Sequence, residues 1–312
     1  MAVVVAHDRH ELLAHTLDGL LGQDRPCDRV VVVDNASTDD SGVVAADHPL
    51  APDVLTLTRN TGGAGGFAAG IAHAVQAHHA DLVWLMDDDT VPTASALAEL
   101  LRARDAYTGR PALLASRAVW HDGRDHPMNT PRRRFGLAGP LVSRAAAAGA
   151  VPVRSASFVS VLLDAGVVRR VGLPEAAYFL WNDDFEYTSR ILRRRVGLWI
   201  PDSVVEHRTR TFGSTDADPG DRFFFEVRNK LWMLRTSPAL GPVDLALYGA
   251  STLVRWARTV LRSTDRRTLL DAGRRGLVAG LRTTPETTSS VLAGLGPVSD
   301  EVRAVAKGAT RG

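Results

Sequence analysis

The run DLVWLMDDD (81–89) sets three carboxylates at the end of an apolar stretch. Neighbouring carboxylates repel one another and are costly to gather unless water or a cation compensates them. In an extended chain alternate side chains share a face, so Asp87 and Asp89 can converge on one cation while Asp88 points away. Carboxylate oxygens are hard ligands, which favours Mg²⁺ or Mn²⁺ with a diphosphate completing the shell. An exposed acidic turn is the alternative; the place at the carboxyl end of an apolar run favours metal binding.

A second acidic group lies in YFLWNDDFEYTSRI (178–191), where Asp183, Asp184 and Glu186 crowd a helix start. The helix dipole favours anions there, and Asn182 or Asp183 is expected to cap the helix. Capping does not require three acids preceded by Tyr178, Phe179 and Trp181. A carboxylate beside an aromatic shelf suits a general base facing a sugar hydroxyl. His207 closes a later apolar run; with the triple aspartate it reads as a third metal ligand or a phosphate contact. The remaining histidines, among them His7, His48, His78 and His79, show no ligand-like grouping in the sequence.

The segment RNTGGAGGFAAG (59–70) has two readings. Gly63, Gly65 and Ala68 formally match the G-x-G-x-x-G/A pattern of dinucleotide-binding turns, and an acid follows. Against that, the turn follows the third strand rather than the first, three acids stand where one would bind a ribose, and Asp34 has no place in the pattern. Glycines also allow tight turns and close helix packing, while Arg59 beside Gly62 and Gly63 favours a phosphate or base contact.

These groups need a scaffold, and the first hundred residues supply its pattern. AVVVA (2–6), RVVVVD (29–34), VLTLT (54–58) and DLVWLM (81–86) read as buried strands. Helical spacing separates them at 11–23 and, after the glycines, from Phe67. Continuous apolar strands alternating with helices imply a mostly parallel sheet covered on both faces. Ligands in such sheets sit at the strands' carboxyl ends, where Asp34, Arg59, the glycines and the triple aspartate all fall. Further on, 121–136 reads as a polar surface loop, 155–164 as a strand, 182–197 as a helix stopped by glycine, and 198–207 as a strand. From about residue 219 the pattern is helical.

The 312 residues, 45% hydrophobic and 23% charged, exclude disordered and collagen-like classes. The single cysteine, Cys27, excludes an internal disulfide and a multi-thiol zinc site, which fits a reducing compartment. No apolar run reaches the ~18 residues of a membrane span, so a soluble, cytoplasmic enzyme is expected. The net charge of +2 hides an asymmetry: residues 251–312 hold 11 Lys and Arg against 5 Asp and Glu. VDLALYGASTLVRWARTVLRS (243–263), with Leu, Tyr and Trp among arginines, fits either an amphipathic helix at a membrane surface or a helix packed on the core. No nucleic-acid partner is expected.

In order and spacing, VVVVDNASTDDSG, RNTGGAGGF, WLMDDD, VGLPEAAYFLWNDDFEY and the following histidine resemble family 2 glycosyltransferases of the GT-A fold. Within that family the chain looks most like the bacterial galactofuranosyl- and rhamnosyltransferase branch, especially actinobacterial enzymes of the cell-wall galactan. The likeness covers roughly residues 2–235 and includes RFFFEVRNKLWML (222–234). It implies a GT-A catalytic domain over 1–215 and a basic helical extension over 216–312, the latter a candidate for contact with the inner face of the cell membrane. It implies a nucleotide-sugar donor, UDP-galactofuranose or dTDP-rhamnose, and a cell-envelope glycan or polyprenyl-diphosphate-linked acceptor. By the same resemblance Asp34 would hold the nucleotide base, with His7 and Arg9 near it. Arg59, Gly62 and Gly63 would line the nucleotide pocket, and Asp88 and Trp181 would contact substrate. Asp87, Asp89 and His207 would bind Mn²⁺ or Mg²⁺, and Asp184, in a D-x-E setting with Glu186 and beside Asp183, would be the base of an inverting transfer. A sugar nucleotidyltransferase would need a glycine-rich loop after the first strand, and AHDRHELL (6–13) has none. A non-catalytic nucleotide-sugar-binding module would not need Asp184 beside Glu186.

Overall fold

A computed structural model describes residues 1–134, 136, 139–209, 212 and 218–309. The expected boundary between residues 215 and 216 lies outside the described residues.

The first half alternates as its apolar pattern dictates: β1 (Ala2–Ala6), α1 (His10–Leu21), β2 (Val30–Asp34), α2 (Ser41–Asp47), β3 (Asp53–Thr56), α3 (Gly62–Gln76) and β4 (Leu82–Asp87). β1 pairs in parallel with β2 and β4, and β2 with β3. Every residue of β1 and β2 is buried, because both faces of the sheet are covered. The period-two alternation sends Val3, Val5, Val31 and Val33 into one core with α3, and Ala2, Val4, Val30 and Val32 into another with α1.

The chain continues through β5 (Thr90–Pro92), α4 (Ala96–Ala106), β6 (Leu113–Val119), β7 (Arg132–Arg133), α5 (Gly139–Ala147), β8 (Val151–Ser155), β9 (Val161–Asp164), α6 (Ala165–Val171), α7 (Asp183–Leu192) and β10 (Gly197–His207). The sheet order is β3-β2-β1-β4-β9-β6-β10-β8-β7, with β5 on β10. β9 runs antiparallel between β4 and β6, and β6 is parallel to β10. β1 to β4, β6 and β10 therefore point the same way, giving the mixed, mostly parallel sheet with flanking helices that was expected.

Several local readings change. Residues 155–164 are not one strand: β8 ends at Ser155 and β9 begins at Val161. α3 begins at Gly62 rather than Phe67, so the glycines belong to its first turns. α7 ends at Leu192, and Gly197 opens β10 instead of stopping a helix; a Cβ there would meet Leu192 Cδ1 at 2.5 Å. Nor is 121–136 merely a surface loop, since His126 and Asn129 within it are buried.

The remaining helices are α8 (Phe223–Thr236), α9 (Pro242–Arg262), α10 (Arg266–Arg282), α11 (Thr288–Val291) and α12 (Pro297–Ala309). α10 packs so closely on α8 that a Cβ on Gly276 would lie 2.7 Å from Phe224 O. α12 returns to the sheet, and Leu292, Val298, Val302 and Val305 share one core with Val3, Val33 and Ile71. No helix among the described residues is long and apolar enough to cross a membrane.

Candidate active site

A cleft of about 500 Å³ opens at the carboxyl ends of the parallel strands. Among the sequence-derived candidates, Arg9, Gly63, Asp87, Asp89, Trp181, Asp183, Asp184 and His207 line it.

β4 ends at Asp87, and the chain turns through Asp88 and Asp89 into β5. β5 pairs antiparallel with β10 so that Thr90 stands opposite His207, and the Arg208 N–H donates to Asp89 O at 2.8 Å. That register carries His207 to the acidic turn, and donor atoms of Asp87, Asp89 and His207 lie within 4.8 Å of one another. His207 Nδ1 lies 2.8 Å from Asn129 Oδ1, an acceptor, so Nδ1 carries the hydrogen and a neutral ring presents its Nε2 lone pair. Nε2 faces Asp89 Oδ1 at 3.1 Å, and that buried oxygen has no hydrogen-bond donor. Two acceptors face each other across a gap that a divalent cation or a ring proton would fill. The donor set of two carboxylates and one imidazole therefore fits a divalent metal.

Electrostatics point the same way. Burial and the charges of Asp89 and Asp88 push the Asp87 carboxyl well above the usual range. Burial raises Asp88 to about 6 despite Arg9. Burial also raises Asp89, but Arg9 and a His207 ring carrying a proton on Nε2 in place of a metal outweigh it and hold that group below its ordinary value. Asp88 turns away from the cation position: its carboxylate accepts the His7 N–H at 3.0 Å and Arg9 Nη1 at 3.2 Å, tying the end of β1 to the acidic turn. The same Arg9 nitrogen donates to Asp89 Oδ2 at 2.7 Å.

The nucleotide-side candidates divide. Asp34 ends β2 and accepts the Ser37 N–H at 2.9 Å. Asn35, not anticipated, accepts from Thr61 N–H and Oγ1 at 2.9 Å and donates to Gly62 O at 2.9 Å, which sets the glycine turn. Gly62 has φ +71°, and a Cβ there would lie 2.1 Å from Phe179 O, so this position admits only glycine. Arg59 leaves the cleft: its Nη2 donates to the carbonyls of Val291 (2.6 Å) and Ala293 (3.1 Å).

The second carboxylate group follows a strained segment. Phe179, Trp181 and Asn182 have φ of 64°, 65° and 67°, a conformation costing of order 1–3 kcal/mol at each non-glycine residue. α8 holds it in place. Asn229 Nδ2 donates to the carbonyls of Tyr178, Leu180 and Trp181 at 2.9, 2.8 and 2.9 Å. Arg228 Nη2 donates to the carbonyls of Ala177 and Tyr178. Asn182 does not cap α7 with its side chain, as expected from sequence, but donates to Glu226 Oε2 at 2.8 Å.

Asp183 and Asp184 both reach the cleft. Burial, then the Asp184 charge, raises Asp183 to about 8. Burial raises Asp184 as well, against the pull of the Phe185 N–H, the Ser157 hydroxyl, Lys230 and Arg132. Lys230 is buried, which lowers it to about 8 although Glu226 pulls upward. Glu186 departs from the group: two residues beyond Asp184 on a helix is about 200° of rotation. Its carboxylate faces away and accepts from Arg190 Nε at 2.8 Å and Ser237 Oγ at 2.6 Å.

Asn129, Arg132, Glu226, Lys230, Arg255 and Trp256 complete the walls, and residue types and spacing had singled out none of them. The available signal was EVRNK (226–230), a charged stretch inside an apolar helical run.

The glycosyl transferase family 2 profile matches residues 1–132. Galactofuranosyltransferase GlfT1 of Mycobacterium tuberculosis (strain H37Rv) is 35% identical over 256 residues, covering 75% of this chain and 81% of that protein. Galactofuranosyltransferase GlfT1 of Mycolicibacterium smegmatis is 34% identical over 204 residues, covering 62% and 65%. Among solved structures, S. aureus TarS 1–349 in complex with UDP aligns with a TM-score of 0.61 at 15% identity, covering 99% of this chain and 88% of that one. The mannosyltransferase PcManGT from Pyrobaculum calidifontis, in complex with GDP-Man and Mn²⁺, aligns at 0.51 with 19% identity, covering 99% and 86%.

Proposed function

Because the chain belongs to glycosyl transferase family 2 and has its GT-A fold, we propose a metal-dependent, inverting transfer of galactofuranose from UDP-galactofuranose to a hydroxyl of a cell-envelope acceptor. The observation that carries the chemistry is that Asp87, Asp89 and His207 line the same cleft as Asp183 and Asp184. The names of the relatives favour galactofuranose over the second donor, dTDP-rhamnose.

Asp87, Asp89 and His207 would hold Mn²⁺ or Mg²⁺, which when bound supplies positive charge to the leaving diphosphate. Arg9, just before α1 and bonded to Asp88 and Asp89 of the acidic turn, adds a cation beside the diphosphate. His7, Asp34, Gly62, Gly63 and Asp88 shape the nucleotide end; Arg59 serves it only indirectly, by holding the C-terminal end of α11. Asp184 accepts the acceptor hydroxyl's proton as that oxygen attacks the anomeric carbon from the face opposite the diphosphate. Lys230, Arg132 and Ser157 around it favour the ionised form a base needs. Trp181 supplies the sugar-facing shelf.

The acceptor side is bounded by α9, and α9 is inside out. Its inward residues Arg255, Trp256 and Thr259 line the cleft, while Val243, Leu247, Val254 and Leu261 face solvent along one stripe. Arg258, Arg262, Arg266 and Arg267 are exposed beside it. An apolar stripe flanked by arginines matches an anionic bilayer surface and would set the cleft at the level of a polyprenyl-diphosphate-linked acceptor.

A panel of UDP- and dTDP-sugars with Mn²⁺, Mg²⁺ or EDTA tests the reading through melting temperature and released nucleotide. Metal-dependent stabilisation and turnover with UDP-galactofuranose are expected; neither with any nucleotide sugar would overturn it. Asp184→Asn should lower turnover about 10²–10⁴-fold while donor binding persists.

A further inference from the structure

A second grouping of metal-type donors lies on the opposite side of the sheet. Asp53 opens β3, at the amino ends of the parallel strands, whereas the cleft lies at their carboxyl ends. His73 is in the last turn of α3, His78 just follows that helix, and donor atoms of Asp53, His73 and His78 lie within 4.8 Å of one another. About eleven residues of helix, roughly 16 Å, separate His73 from the glycine turn. None of these three residues lines the cleft.

The geometry is that of ligands aimed at one point. His73 Nε2 and His78 Nε2 both face the same oxygen, Asp53 Oδ2, at 2.9 and 2.7 Å. On its other side His73 Nδ1 lies 3.0 Å from the Glu301 carboxylate of α12, so Nδ1 carries a hydrogen. A neutral His73 then presents its Nε2 lone pair to the Asp53 oxygen that His78 also faces. Either a proton or a cation must fill that contact. Two imidazoles with one carboxylate are borderline ligands suited to zinc-class ions rather than Mg²⁺, and a carboxylate behind one imidazole is the usual outer support of such a site.

We propose that Asp53, His73 and His78 form a second divalent-metal site of zinc class, oriented by Glu301, that fastens α12 to the β3–α3 corner. With three protein ligands the fourth position goes to water, and the two carboxylate charges balance the ion. The role is structural, since the site stands apart from the reacting groups. The proposal does not depend on the identity of donor or acceptor.

Zinc titration calorimetry of the full chain carrying Asp89→Asn, which disables the cleft ligands, tests it. One equivalent of Zn²⁺ is expected to bind and to raise the melting temperature. Adding His78→Gln should abolish that equivalent while the circular dichroism in EDTA stays unchanged. Adding Glu301→Gln instead should keep the equivalent but weaken it about 10–100-fold, which a merely structural contact of Glu301 would not do. No zinc uptake in the Asp89→Asn protein, or uptake indifferent to His78→Gln and Glu301→Gln, would overturn the proposal.

Discussion

Asp183 and Asp184 are adjacent in sequence but meet different surroundings. Asp184 faces Lys230, Arg132 and the Ser157 hydroxyl, whereas Asp183 is buried against its neighbour's charge and rises to about 8. A carboxyl whose folded pKa lies above its unfolded value near 4 binds its proton more tightly when folded. Its contribution to stability is full below about pH 4 and is lost as pH rises towards 8. Metal-free protein in EDTA should therefore lose stability between pH 5 and 8, by on the order of 1–3 kcal/mol. Asp183→Asn should flatten that slope in urea or thermal melts; an unchanged slope would place the titration elsewhere. Lys230, lowered to about 8, acts in the other direction and above this window.

At the scale of elements, α8 is the part that makes the second half of the site. The positive φ values at Phe179, Trp181 and Asn182 persist because the Asn229 amide, with two hydrogens shared among three nearby carbonyls, and Arg228 together hold the segment's carbonyls. Asn229→Ala would remove the side-chain donor of the Leu180 and Trp181 carbonyls, while Tyr178 O keeps Arg228 and the Leu180 N–H. A loss of about 2–4 kcal/mol is expected, with kcat falling more than KM changes, because Asp183 and Asp184 lose their fixed approach. Wild-type stability in a chemical-denaturation curve of this variant would contradict that account. Gly62 joins the same device from the other side, since its backbone packs directly on Phe179.

For the whole molecule, the C-terminal helices carry one packing contact and one proposed surface role. Leu292 is fully buried in the core that also holds Val3 and Ile71. Leu292→Ala should therefore cost about 2–4 kcal/mol, read as a lowered melting temperature, and a change under about 1 kcal/mol would mark α11 and α12 as a separable appendage. The outward stripe of α9 is a surface property instead. Val254→Glu or Leu261→Glu should reduce co-sedimentation with anionic vesicles about tenfold or more while leaving stability unchanged. Equal sedimentation of wild type and variants would remove the membrane role.

The alternating strands β1 to β4, the acidic turn at their carboxyl edge and the acids opening α7 were determined by the sequence alone. Each depends on contacts local in the chain: apolar periodicity, a turn, a helix start. The family resemblance rested on the same local motifs, and it holds. Other features arise from contacts between distant segments. The β5–β10 register brings His207 to Asp89, and Asn129 from a stretch that read as surface loop fixes its ring. Helix rotation sends Glu186 away from Asp184, and Arg59 turns to carbonyls more than two hundred residues on. His78 looked ungrouped because its companions, Asp53, His73 and Glu301, come from three elements that meet only on folding. Periodicity records which face a residue takes; only the packed chain decides which distant groups share that face.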